Sequence, residues 1–171
     1  MANLLTYQYF LSGRASIKGL IGVDTGGVVT AKRSELDSYI AVVEKKILKR
    51  LLGDDLYDAF IAGLATTPIA ARWTALKAQI VDTTALTSPL TAFVWHMWLT
   101  DHQTQNMANG QVKFSASDAV PMANAQMICD VYNTAVDELS DVWDYLETNA
   151  ATYPEWEQEA FDFSYINPFD I

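Results

Sequence analysis

After Lys113 the chain contains no Lys, Arg or His. Twelve Asp and Glu follow that point, while the first 113 residues hold the other nine acids and all eleven Lys and Arg. The net charge of −10 therefore resides almost wholly in the C-terminal third. Such segregation does not help a folded monomer, because like charges repel and local ion pairs cannot form. It implies a surface that meets something, or one that must not adhere to something. A single cysteine, Cys129, excludes an internal disulfide framework and a Cys-based zinc cluster. The N-terminus lacks a leading positive charge, so no signal peptide is expected. The most apolar stretch, residues 90–99, is interrupted by Thr91 and His96 and is too short to span a bilayer. A pI near 4.4 argues against a tight non-specific grip on nucleic acid, which needs Lys and Arg to displace counterions.

What is present is a foldable chain. It has 171 residues, half of them hydrophobic and 12% aromatic, which fits one domain with a real core. A soluble protein made in a cytoplasm is the expectation. Residues 1–33 carry Gly13, Gly19, Gly22, Gly26 and Gly27 around β-favouring pieces such as Gly27-Val-Val-Thr30, and read as an extended arm or loose hairpin. From Ser34 the chain turns helical. Ser34 and Asp37 resemble a capping box, and Leu36, Ile40, Val43, Ile47 and Leu51 then mark one helix face. Gly53 stops this helix, and Asp54 or Asp55 caps a second. Thr67-Pro68 and Ser88-Pro89 are cap-then-proline starts for two more. The helix after Ser88-Pro89 is apolar nearly all round, which suits the centre of a bundle.

Residues 104–116 are polar around Asn109-Gly110, a hairpin-turn signal, so a small β-hairpin or projecting loop is expected there. Ser117 caps the longest helix, to about Asn149, with Ile128, Val131, Val136, Leu139 and Leu146 on its apolar stripe and Asp130, Asp137, Asp141 and Asp144 opposite. Together these readings give an all-α fold: a bundle of about five helices over residues 34–159, an N-terminal arm and a tail at 160–171.

No constellation of side chains carries chemistry. His96 and His102 are six apart, about 120° around a helix, and share no ligand face. Cys129 lies in an apolar stretch, the usual place of a small buried hydrophobe. Gly22-Val-Asp-Thr-Gly-Gly27 lacks the Lys-Ser/Thr of a phosphate loop. No catalytic, cofactor-binding or metal residue is assigned. The acidic helix face reads as merely solvated, as the lining of a passage for a polyanion, or as the complement of a basic patch formed by Lys45, Lys46, Lys49 and Arg50. Divalent-cation binding by Asp137, Asp141 and Asp144 has the right spacing, but nothing demands it. In the tail, Phe161, Phe163, Tyr165 and Phe169 lie outside any helical period, and Pro168 keeps the segment irregular. Docking them releases on the order of 10 kcal/mol gross, and ordering the segment costs about as much, which suits an assembly with many copies better than a monomer.

Lys49-Arg-Leu-Leu-Gly-Asp-Asp-Leu-Tyr57, Tyr145-Leu-Glu-Thr-Asn149, Tyr153-Pro-Glu-Trp156 and Ile166-Asn-Pro-Phe-Asp-Ile171 resemble the small helical head–tail connector (adaptor) proteins of tailed bacteriophages. The resemblance covers about residues 34–171. It implies a virion neck protein that forms a ring, usually a dodecamer, beneath the portal protein, and that meets tail or other neck proteins. Genome DNA passes through such a ring without specific binding, and no membrane or cofactor is involved. By analogy the contact elements are the loop residues Asn109, Gly110, Val112 and Phe114 and the tail residues Phe161, Phe163, Tyr165, Ile166, Pro168, Phe169 and Ile171. An acidic lumen of Asp130, Asp137, Asp141 and Asp144 would repel phosphates. Two rivals remain: a small acidic module that mimics DNA for a basic partner, and a metal-dependent hydrolase using the Asp cluster with His102.

Overall fold

The computed structural model describes residues 3–103, 105–107, 110–112, 125–157 and 160–167. Among the described residues the fold is all-α, with four α-helices: α1 Val28–Leu64, α2 Ala71–Ile80, α3 Leu90–Gln103 and α4 Ala125–Thr148. Two three-residue segments, β1 Gln105–Met107 and β2 Gly110–Val112, pair antiparallel between α3 and α4. The expected turn residue Asn109, with Ala108, lies outside the described residues, as does the expected cap Ser117.

α1 begins two turns earlier than the pattern suggests. Ser34 is inside it, and its carbonyl accepts the Ser38 hydroxyl at 3.1 Å. Gly27 holds the N-cap position, and the first turn is tied by Asp24, whose carboxylate accepts the Val29 and Thr30 amides at 2.9 and 3.4 Å and the Thr30 hydroxyl. That satisfies orphan donors of the first turn and converts the β-favouring Val28, Val29 and Thr30 to helix. At Gly53 the backbone takes φ 77° and ψ 167°, open in practice to glycine alone, and α1 kinks there without ending. The two helices expected on either side of Gly53 are both present, joined end to end across that kink. At its end Gly63 lies against Trp73 of α2; a Cβ there would sit 1.9 Å from the indole nitrogen. α2 starts at Ala71, not at Thr67-Pro68. Thr66 donates its hydroxyl to the Gly63 and Pro68 carbonyls, which holds this stretch as a turn. α3 starts as expected, with the Ser88 hydroxyl accepting the Leu90 amide at 3.2 Å.

α3 packs against both α1 and α4 and buries Leu90, Phe93, Val94, Trp95 and Trp98. Residues 3–27 are not an extended arm. Leu4, Leu5, Tyr9, Phe10, Ile17 and Leu20 are buried in the common core, around a 3₁₀ turn at Tyr7–Phe10. The C-terminal segment returns likewise. Tyr153 is buried, and its hydroxyl donates to the Arg72 carbonyl at 2.9 Å. Phe161 packs on Trp143 of α4 (5.8 Å between ring centroids), and Phe163 packs on Phe93 of α3 (6.1 Å).

Candidate interaction surfaces

The acidic face of α4 is built by helical period. At 100° per residue, Asp130, Asp137, Asp141 and Asp144 fall within about 40° of a common line. All four are exposed. Asp130 accepts the Gln126 amide at 2.7 Å, and Asp137 accepts the Tyr165 hydroxyl. None of the four has a cationic partner among the described residues, where the ion pairs are Lys49–Asp54, Arg50–Asp162, Arg72–Glu155 and His102–Glu35. Beside the stripe, burial and the Asp141 charge push the Glu138 carboxyl up.

The basic group on α1 is divided. Lys45 and Lys46 are exposed. Lys49 is held by Asp54, which raises its pKa, and lies 5.4 Å from the Tyr57 ring centroid. Arg50 reaches the tail, bonding Asp162 at 3.0 Å and covering the Phe163 ring at 4.6 Å. Half of the expected inter-subunit face therefore works within the chain.

The tail residues are divided too. Phe163 is a core residue, and Phe161 is half-buried against Trp143. Ile166 is tied by its backbone: the Asn133 amide group both accepts its N–H and donates to its carbonyl, each at 2.9 Å, as a neighbouring strand would. Irregular aromatics thus belong to the core because α4 supplies a side chain that satisfies the tail's backbone. Tyr165 remains exposed. Pro168, Phe169, Ile171 and the loop residues Asn109 and Phe114 lie outside the described residues. Gly110 and Val112 belong to β2.

The histidines are not brought together. His96 packs on Tyr132 at 5.6 Å, and burial lowers its pKa. His102 stacks on Trp98 at 3.9 Å, and its Nε2 is 3.3 Å from Glu35. Cys129 is buried in α4. Among the described residues no three His, Cys, Asp or Glu converge as a metal ion would require, and no helix is long and apolar enough to cross a membrane.

Two polar anchors escape the sequence reading. Glu44 is buried and accepts the Leu4 and Leu5 amides at 2.8 and 3.1 Å. The only signal is an acid placed four residues after Ile40 and three before Ile47, on the apolar stripe itself. Arg72 forms a bidentate pair with Glu155 at 3.1 and 2.8 Å, and nothing in the spacing of the two announces it. A cleft of about 470 Å³ also opens between the turn around Ser12–Ala15, the start of α3 and the Val131–Glu138 stretch of α4. Compared with known proteins, the chain matches no family profile, no curated protein and no solved structure.

Proposed function

We propose that this protein is a structural component of a tailed-phage neck, a head–tail connector whose copies form a ring, by analogy a dodecamer, beneath the portal. The observation that carries the reading is the stripe of α4 carboxylates without cationic partners among the described residues. Lining a conduit, the stripe repels the phosphates of passing DNA, whereas clustered lysines would hold the genome by counterion release. The work is mechanical, and no residue is assigned to catalysis. The contact elements are residues within 104–116, with Asn109, Gly110, Val112 and Phe114, and the chain end from Tyr165 through Pro168, Phe169 and Ile171. Phe161 and Phe163 support that end from within. The protein belongs in the virion, between capsid and tail.

The test is to mix purified chain with portal rings and follow mass by native mass spectrometry and shape by negative-stain microscopy. A ring bound to one face of the portal is expected; a chain that stays monomeric beside intact portal refutes the reading. The exposure of the same stripe also supports a second reading, a DNA mimic that binds a basic protein. Its signature is a pull-down of such a protein that disappears when Asp137, Asp141 and Asp144 are changed together to Asn.

A further inference from the structure

Ile21, Val23 and Val28 are 63%, 89% and 66% exposed. Scattered exposed aliphatics need no explanation, but three within eight residues form a ridge. The ridge is held from beneath. Leu20 is buried, and its carbonyl accepts the Arg33 guanidinium at 2.6 Å. The Lys18 carbonyl accepts the Lys32 ammonium at 2.6 Å, and Asp24 grips the first turn of α1. The segment also has a charge: Lys32 and Arg33 reach the Lys18 and Leu20 carbonyls beside it, Arg14 and Lys18 precede it, and Asp24 is the sole acid before Glu35. Arg14 and Lys18 are exposed and form no ion pair among the described residues.

The opposite character occurs elsewhere on the same chain. Tyr165 is 63% exposed and stands among carboxylates, bonded to Asp137 with Asp141 one turn on. An aliphatic ridge with a cationic rim and an aromatic ring with an anionic rim are complementary in both respects, and a Tyr face also accepts Lys or Arg. Two acidic faces would repel, so a contact pairing each surface with itself is disfavoured. Unlike surfaces paired head to tail generate rings or filaments.

We propose that the Ile21–Val23–Val28 ridge of one copy seats against the Tyr165 face of a second copy. This rests on the multimer reading above and names its contact: Asp137, bonded to Tyr165, meets the neighbour's cations, and Asp130, Asp141 and Asp144 stay on the conduit. The partner is another copy because the chain itself supplies the matching charge and apolar surface.

The test uses two full-length chains, Val23→Cys and Tyr165→Cys, each also carrying Cys129→Ala and a different tag. Circular dichroism confirms that both fold. Mixed in equal amounts under mild oxidation, they are expected to give about ten mixed disulfide dimers for each same-chain dimer, where random pairing gives about one. In a chain pair of the same design, Lys18→Glu on the Val23→Cys chain lowers that excess, and Asp137→Lys on the Tyr165→Cys chain restores it. A random distribution of dimers overturns the contact, as does wild-type binding to anionic lipid vesicles that Val23→Asp abolishes, which would assign the ridge to a membrane. Portal-bound rings with random cross-linking sink the contact and leave the neck reading standing. Mixed dimers without any portal-bound ring sink the neck reading and leave the contact standing.

Discussion

The two ends of the chain reach the same bundle by opposite electrostatic means. At the N-terminal end a buried carboxylate does the holding. Glu44 accepts the Leu4 and Leu5 amides, yet burial pushes its pKa up despite those bonds and the nearby Lys77. The same burial, with Glu44 adding to it, raises the Tyr9 and Tyr57 phenols. At the C-terminal end the groups keep water. Arg72 and Glu155 remain about a third exposed, and the Arg72 hydrogen bond pulls the Glu155 pKa down. Arg50 with Asp162 is more exposed still. A charge buried without an opposite charge beside it holds its segment through backbone bonds and bears a desolvation cost. A charge paired at the surface holds less firmly and costs little.

The largest effect that sharpens this contrast comes from the tail itself. Phe163→Ala removes a core ring between Phe93 and Arg50 and is expected to cost about 3–4 kcal/mol. Tyr165→Ala, two residues on but exposed, should change stability by no more than about 0.5 kcal/mol. Urea unfolding of the two variants decides the matter: equal midpoints would mean that the tail lies on the bundle without belonging to it. Next comes the N-terminal anchor. Glu44→Ala leaves two buried amides without acceptors and relieves one buried charge, for a net loss of about 2 kcal/mol. Glu44→Gln keeps one acceptor and should lose about half as much. If Glu44→Ala unfolded at the wild-type midpoint, the N-terminal segment would be held by its leucines alone.

How much of this could be read from the sequence follows from range. The start of α3 at Ser88-Pro89 and the apolar stripe of α4 are local patterns, and the structure has both. Gly53 was legible as a break because its conformation excludes other residues, but whether helix resumes at once depends on what packs beyond it. The Asp24 tie was hidden because two glycines with positive φ, Gly26 and Gly27, stand between it and the helix. The two end segments are illegible in the sequence for one reason. Leu5, Phe10, Leu20 and Phe163 have no period, and their burial depends on acceptors and rings contributed by Glu44, Asn133 and Phe93, far away in the chain. The carboxylates of α4 share one exposed face, which period alone determines. Which of the four basic residues on α1 stay free was not legible, because Asp162 comes from the other end of the chain.

The smallest expected effects test the contrast by pH. Arg72→Ala should cost about 1 kcal/mol at neutral pH, the scale of a half-exposed pair. Glu155 has a folded pKa below its ordinary 4.5, so its contribution is full above that value and disappears as pH falls through the folded pKa. The stability gap between wild type and Arg72→Ala should therefore hold steady down to about pH 4.5 and close below it. Glu44 has the opposite sign. Its folded pKa lies above 4.5, so the native state binds the proton more tightly than the unfolded chain, and its ionised form is a burden at neutral pH. Acidification through the folded pKa toward 4.5 should stabilise wild type relative to Glu44→Gln, which has no proton to take up. Urea midpoints for the three proteins across that range give both slopes. Gaps that moved in the same direction would mean that the two ends are held by the same kind of interaction, and the contrast would fail.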